Sequence, residues 1–474
     1  MPHHDQYAFT VPIADDGHWY LFNGESMLFA EVTQDVHDHV VLAKAGVDVA
    51  PSPRVEHLNA LHFFQGPDHR VATQGAGVGM VLEEAYLLLT DRCNLACRYC
   101  FNGSDLPLIR GKVMSPSVLE AAVRFLAHAA HPERGFRLIL WGGEPLLDYR
   151  TLHMALTCAT QAFRTANKPL TFATTTNAIA LDARVAETLV EFNVVVNFSL
   201  DGTPDSHNLY RTHRDGRPSH ADTMRGVHTY LDVQRRRAPT MLPRARMTVT
   251  HDSASRFYEN VVSLWAAGIP YVWAKDVAWQ PDGHPAMLDD SDIPVLEEQY
   301  RLLRMHILRA MAHGDAERVL PQLVADLGAL HRRERRKGSC GAGHGNVSIT
   351  TSGDIIACYH LEGSDAFRLG HVDQATECLE CIRQMRTTVD DDEVCRSCEY
   401  KYLCGGGCAA KGIGKGLGAR SCWVGQCKFI KVSLMHLLRL YGSVMSGAGG
   451  ARLAPLLRRP DRLPRAVVSG ESGA

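Results

Sequence analysis

The stretch that most restricts what this chain can fold into is 86–102, YLLLTDRCNLACRYCFN. Three cysteines, Cys93, Cys97 and Cys100, follow an apolar run at spacings of three and two residues. The run itself reads as a strand of a buried parallel sheet, because such strands are covered on both faces and need no polar alternation. The triad then lies in the loop leaving the carboxyl end of a strand, where α/β folds place their chemistry. Three thiolates suit a [4Fe–4S] cluster with one iron left open, since full ligation takes four. The open iron can hold a small chelating ligand. A zinc knuckle is the competing reading, but zinc would want a fourth Cys or His at close spacing, and none follows within the next 25 residues.

From about residue 81 to 313, strand and helix signals alternate. Strand candidates are 86–89, 137–141, 170–175, 194–200, 245–250 and 271–275. Between the first two, Val118, Leu119, Ala122, Phe125, Leu126 and Ala129 share one face of a helix over 116–130. Ser115 is placed to cap that helix, and Pro116 suits its first turn. Six strand–helix units in series imply an all-parallel sheet. Ahead of them, 1–80 alternates short apolar and polar pieces (YAFTVPI, HWYLFN, MLFAEV), the pattern of a small β-rich module followed by a helix over 34–45. After them come a linker helix over 314–338 ending in the basic run 332–337, and a cysteine- and glycine-rich region over 339–446. Its stretch 339–430 has little periodicity, and a helix over 432–441 closes it. The tail 447–474, rich in Gly, Pro and Arg, is expected to be disordered.

With 474 residues the chain suggests roughly two to four domains. Its 14 cysteines, with no secretory signal in MPHHDQYAFT, argue for metal or redox centres in a cytoplasmic protein rather than disulfides. A net charge of −2 gives no reason to expect nucleic acid or an anionic membrane as partner. No stretch reaches the ~18 apolar residues of a membrane span.

The C-x3-C-x2-C triplet, with Tyr99 before its last cysteine and Phe101 after it, closely resembles the radical S-adenosylmethionine (SAM) family. The resemblance implies a partial (β/α)6 barrel, open on one side to admit a large substrate. It implies that the open iron chelates the amino and carboxylate groups of SAM. Once reduced by a donor such as flavodoxin or ferredoxin, the cluster cleaves SAM to a 5′-deoxyadenosyl radical. In that family the segment corresponding to 140–147, LWGGEPLL, contacts the SAM amino group, which carries over to Gly142, Gly143 and Glu144. Tyr99 joins this set. A serine ending the fourth strand and an arginine twelve residues on contact the ribose and carboxylate, and Ser199 and Arg211 keep that spacing. Thr175, Thr176 and Asn177 end the third strand at the same rim, as supporting groups or as simple turn formers.

The C-terminal cysteines have their own order. Cys340 opens C-x12-G-x4-C, which ends at Cys358 with Gly353 in the turn of a hairpin; Cys395, Cys398, Cys404 and Cys408 run C-x2-C-x5-C-x3-C, and Cys427 follows. This is very similar to the SPASM domain, which holds two auxiliary [4Fe–4S] clusters. The resemblance gives Cys340, Cys358 and Cys408 to the first, and Cys395, Cys398, Cys404 and Cys427 to the second, for three clusters in all. Paired four-thiolate zinc sites are the alternative. The sulfatase-maturing branch has a further cysteine where this chain has Asn346, so the first auxiliary cluster has an open iron or borrows Cys378, Cys381 or Cys422. Cys158 reads as plain core. That branch also has an aspartate directly after the cysteine matching Cys358. Here Tyr359 and His360 follow, either as proton acceptors or as packing around the cluster.

The leading expectation is an enzyme that oxidatively modifies or crosslinks a residue of a ribosomal peptide or protein. The N-terminal module then grips the peptide's leader, or merely caps the barrel. An anaerobic sulfatase-type maturase that forms formylglycine is the alternative. A non-catalytic iron–sulfur scaffold is the reading of another class, against which GGEP, Ser199 and Arg211 stand.

Overall fold

The computed structural model describes residues 7–64, 66, 82–101, 111–237, 242–277, 284–313, 316–338, 341–342, 345–374, 388–414, 424–447 and 450–458. Cys340, Cys378, Cys381 and Cys422 lie outside them. The chain divides into two compact units: one combines Met1–Val78, Ile293–Ser339 and Thr387–Leu463, the other Gly79–Asp292, Cys340–Arg386 and Pro464–Ala474.

In the first unit, β1 (Thr10–Asp15), β2 (His18–Asn23) and β3 (Leu28–Val32) form an antiparallel sheet. Asp16 and Gly17 connect β1 to β2 with φ of 45° and 81°, the mirror-image turn whose twist matches a hairpin and which favours Asp-Gly. One sheet face packs Leu21 against Val36, Val40 and Ala43 of helix Gln34–Lys44 and Val55 of helix Pro53–Ala60. The other packs Val11, Ile13, Tyr20 and Phe22 against Cys395, Tyr400, Tyr402 and Leu438. Buried Lys401 pairs with Glu25 at 2.5 Å and Asp390 at 3.1 Å. The β-rich module is therefore built into the same core as the late cysteines. Helices Asp292–Ala312, Ala316–His331 and Val424–Ser446 are the longest of this unit.

The tail departs from expectation. Gly450–Arg458 is helical, because Leu453 and Leu457, one turn apart, are both fully buried and outweigh the Gly- and Arg-rich composition around them. Residues 459–474 are not described.

In the second unit, all six expected strands form: β4 (Glu84–Thr90), β5 (Phe136–Gly142), β6 (Leu170–Thr176), β7 (Val195–Ser199), β8 (Arg244–Val249) and β9 (Tyr271–Asp276). They pair in chain order, every neighbour parallel. Helix Pro116–Ala129 starts as its sequence dictates, with Ser115 accepting the Val118 N–H and Pro116 in the first turn. Three short strands, β10 (Asn346–Ile349), β11 (Asp354–Ile356) and β12 (Arg368–His371), extend the sheet beyond β4, with β10 parallel to β4 and the rest antiparallel. Gly353, at φ 94°, does sit in the β10–β11 turn. Asn346 is buried in β10, its amide donating to Glu84 at 2.7 Å. The side chain standing in place of a cysteine is thus spent on holding β10 to β4.

Candidate active site

Cys93, Cys97 and Cys100 lie in the loop after β4, as expected, and all three are half-buried. Backbone hydrogen bonds tie this loop to a neighbouring segment. Ala96 N donates to Thr212 O and Arg98 N to Tyr210 O, both at 2.9 Å, so the loop is stitched to the segment after helix Pro204–Tyr210. Arg214 adds a bond from Nε to Cys93 O at 3.2 Å. Burial pushes the Cys93 and Cys97 thiols up to about 12, with Glu144 adding to the effect at Cys93 and Arg211 opposing it at Cys97. Thiolates here need positive charge beside them, which iron supplies, so the donor set fits a cluster.

Gly142 and Gly143 make a close approach to the chain itself. Gly143 N donates to Thr90 O and Glu144 N to Arg92 O, both at 2.8 Å, which zips the end of β5 onto the start of the cysteine loop. A Cβ on Gly142 would strike Thr90 O, and one on Gly143 would strike Arg92 O. Gly142 also takes φ of 147°, which side chains disfavour.

Glu144 is 1% exposed. Its carboxylate accepts from Thr176 Oγ1 and Asn177 N at 2.7 Å and from Leu146 N at 3.1 Å. Asn177 in turn donates to Asn94 Oδ1 at 2.7 Å and reaches Cys93 Sγ at 3.9 Å. Thr176 and Asn177 are therefore supports of the loop, and Glu144 positions them. Burial raises the Glu144 carboxyl from 4.5 to about 7 against those three donors. A carboxyl held above its unfolded value stabilises fully below pH 4.5 and loses that contribution as pH rises through 7. Over that window the native chain should lose on the order of 3 kcal/mol relative to Glu144→Gln. Denaturant unfolding at several pH values tests this, and parallel slopes for the two proteins would refute it.

Arg211 is 8% exposed and bound to Asp201, a residue the sequence reading did not single out. Arg211 Nε donates to Asp201 Oδ2 at 2.8 Å and Nη2 to Oδ1 at 3.3 Å. Thr248 N donates to Asp201 Oδ1 at 2.8 Å, and Tyr99 Oη to Oδ2. The guanidinium also stands 5.2 Å from the Tyr99 ring centroid. Tyr99, Arg211 and the Cys97 surroundings thus form one buried network. Ser199 ends β7, half-buried, with Asn197 on the same face of the strand.

Tyr359 and His360 come to the same region. The His360 ring centroid is 4.1 Å from that of Phe101, the residue after Cys100. Tyr359 lies 5.6 Å from Phe101, 4.7 Å from Tyr86 of β4 and 4.7 Å from Trp141 of β5. An aromatic wall thus joins the segment after Cys358 to the cysteine loop. In the other unit, Cys395, Cys398 and Cys427 gather on one apolar cluster. Cys404 ends the helix Lys401–Cys404, with Gly405 at φ 75° closing it, and Cys408 N donates to Gln426 Oε1 at 3.1 Å. Cys158 lies within helix Tyr149–Thr165.

A three-cysteine loop at the carboxyl end of the first of six parallel strands, zipped to a Gly-Gly-Glu segment on the second, is the arrangement of a radical SAM domain. Residues 87–242 match the Radical SAM superfamily, so the chain carries a radical SAM domain over that stretch. Over 340 residues it is 23% identical to the serine-type anaerobic sulfatase-maturating enzyme of Klebsiella aerogenes, covering 67% of this chain and 77% of that one. A 147-residue stretch is 26% identical to an uncharacterized protein of Methanocaldococcus jannaschii, spanning 31% of this chain but only 48% of that relative. Among solved structures, native anSMEcpe with bound AdoMet and Kp18Cys peptide matches with a TM-score of 0.63 at 18% identity, covering 77% of this chain and 99% of that one. Streptococcus suis SuiB bound to precursor peptide SuiA matches with a TM-score of 0.50 at 14% identity, covering 88% and 97%. These two likenesses are of fold.

Proposed function

We propose that this enzyme oxidatively modifies or crosslinks a residue of a ribosomally made peptide, with Cys93, Cys97 and Cys100 holding a [4Fe–4S] cluster at which SAM binds. The observation that carries the reading is the contact of Tyr359 and His360 with Phe101, which sets groups able to take a proton beside the cysteine loop. The peptide complexes among the structural neighbours support the substrate class. When bound and reduced, the cluster supplies a 5′-deoxyadenosyl radical from SAM, and auxiliary clusters accept or pass an electron.

The chain's own groups do the rest. Gly142 and Gly143 shape the rim where the SAM amino group lies, and Glu144 holds that rim in place. Ser199 and Arg211 take the ribose and carboxylate. With a hydrogen atom lost from the substrate and an electron passed on to an auxiliary cluster, a ring nitrogen of His360, or Tyr359 as its phenolate, would accept the proton that leaves. Cys340, Cys358 and Cys408 are assigned to the first auxiliary cluster and Cys395, Cys398, Cys404 and Cys427 to the second, as a SPASM domain. The gathering of Cys395, Cys398 and Cys427 supports that second set. The β-rich module is assigned to the peptide leader, and flavodoxin or ferredoxin to electron supply in the cytoplasm. Among the described residues no helix is long and apolar enough to cross a membrane.

The Klebsiella relative favours a second reading, formylglycine formation. Tyr359 and His360 stand where that branch has its aspartate, and Asn346 where it has a cysteine. Reduced enzyme with SAM should therefore form no aldehyde on a sulfatase-derived Cys or Ser peptide, as read by mass spectrometry. Formylglycine in that assay would overturn the choice of branch and leave the radical chemistry intact.

A further inference from the structure

Across the sheet from the aromatic wall, β8 and β9 carry an unusual ladder. Ala245, Met247, Val249 and Val272 are buried on one face, so the alternation of a strand puts Arg244, Arg246, Trp273 and Lys275 on the other. Register sets Arg244 opposite Tyr271 and Arg246 opposite Trp273. Each guanidinium lies over its cross-strand ring, at 5.5 Å and 4.8 Å from the centroid, and the Lys275 ammonium is 5.5 Å from Trp273. Register also pairs Arg246 with Ser199, so the ladder reaches the level of the rim. Among the described residues neither arginine has a carboxylate partner. The nearby carboxylate of Asp201 is spent on Arg211, Tyr99 and Thr248. Trp273 is 41% exposed.

Two arginines with no carboxylate partner among the described residues, beside the partly exposed Trp273, call for an anionic ligand. Stacking on a ring fixes the plane of a guanidinium while leaving its N–H edge available for bidentate pairing with a carboxylate. The exposed part of Trp273 can pack against the aliphatic stem of the same side chain.

We propose that Arg246, Trp273 and Lys275, with Arg244 behind them, bind acidic side chains of the peptide substrate and so select a target residue flanked by Glu or Asp. This deepens the function proposed above and rests on it only for the substrate being a peptide. The test is fluorescence anisotropy on the reconstituted full chain with SAM. The probes are a labelled glutamate-rich peptide and the same peptide with glutamines. The native protein should prefer the glutamate peptide by about tenfold or more. R246Q/K275Q should bind the two peptides equally while keeping the native iron content and thermal unfolding midpoint, which excludes a folding defect as the cause. Equal binding by the native protein, or a preference surviving in R246Q/K275Q, would overturn the proposal. The readout needs no turnover, so its failure is separable from a failure of peptide modification.

Discussion

Replacing Cys93, Cys97 and Cys100 together with alanine is expected to remove about four irons from each reconstituted chain, one cluster's worth, and to abolish 5′-deoxyadenosine formation. The loop should survive the change, because its bonds to Tyr210 and Thr212 are made by backbone amides and not by the thiols. The native chain should hold about twelve irons if all three cysteine groups fill, so the loss is a fraction of the total and the auxiliary sites report on intact folding. Iron analysis with chromatography of the nucleoside checks both numbers. Deoxyadenosine from the triple variant would defeat the assignment of the triad.

Arg211→Ala should weaken SAM binding by about tenfold or more and also destabilise the fold. The second effect follows from the ion pair, whose side chains are 10% and 3% exposed. Removing the guanidinium leaves the Asp201 carboxylate buried with only the Tyr99 hydroxyl and the Thr248 amide, an unpaired charge that costs about 3–5 kcal/mol. Arg211→Lys keeps the charge but loses the two-pronged geometry, so it should recover stability better than SAM affinity. Asp201→Asn separates the roles further, since it disturbs the pair while leaving the guanidinium in place. Thermal unfolding and equilibrium SAM binding on the four proteins measure the two effects independently. Unchanged values for Arg211→Ala would place that residue outside the site.

Much of the second unit was legible because its signals are local. β4 and β5 are largely apolar runs, as strands covered on both faces read, while β8 and β9 show the alternation of strands with one covered face. The cysteine spacing, Ser115 with Pro116, and Gly353 in its turn all express single-residue requirements. What stayed hidden depends on partners distant in sequence. Asp201 in the string SLDG reads as a turn former, and only the fold shows that it anchors Arg211, Tyr99 and β8. Gly142 and Gly143 could be read as room for a ligand, yet their immediate neighbours are Thr90 and Arg92 of the same chain. The hairpin around Gly353 was legible, but β12 and the parallel pairing of β10 with β4 were not, because these strands span only four residues each in a stretch without periodicity. Burial of Leu453 and Leu457 depends on helices from other parts of the chain, and composition alone pointed the other way.

The central claim is that radical chemistry started at the Cys93–Cys97–Cys100 loop is spent on a peptide. The most direct measurement is anaerobic incubation of reconstituted, reduced enzyme with SAM and a short peptide encoded beside its gene, followed by mass spectrometry of peptide and nucleoside together. The account predicts 5′-deoxyadenosine and a peptide lighter by one pair of hydrogens, in matching amounts. Deoxyadenosine formed at the same rate with and without the peptide, and a peptide of unchanged mass, would contradict it.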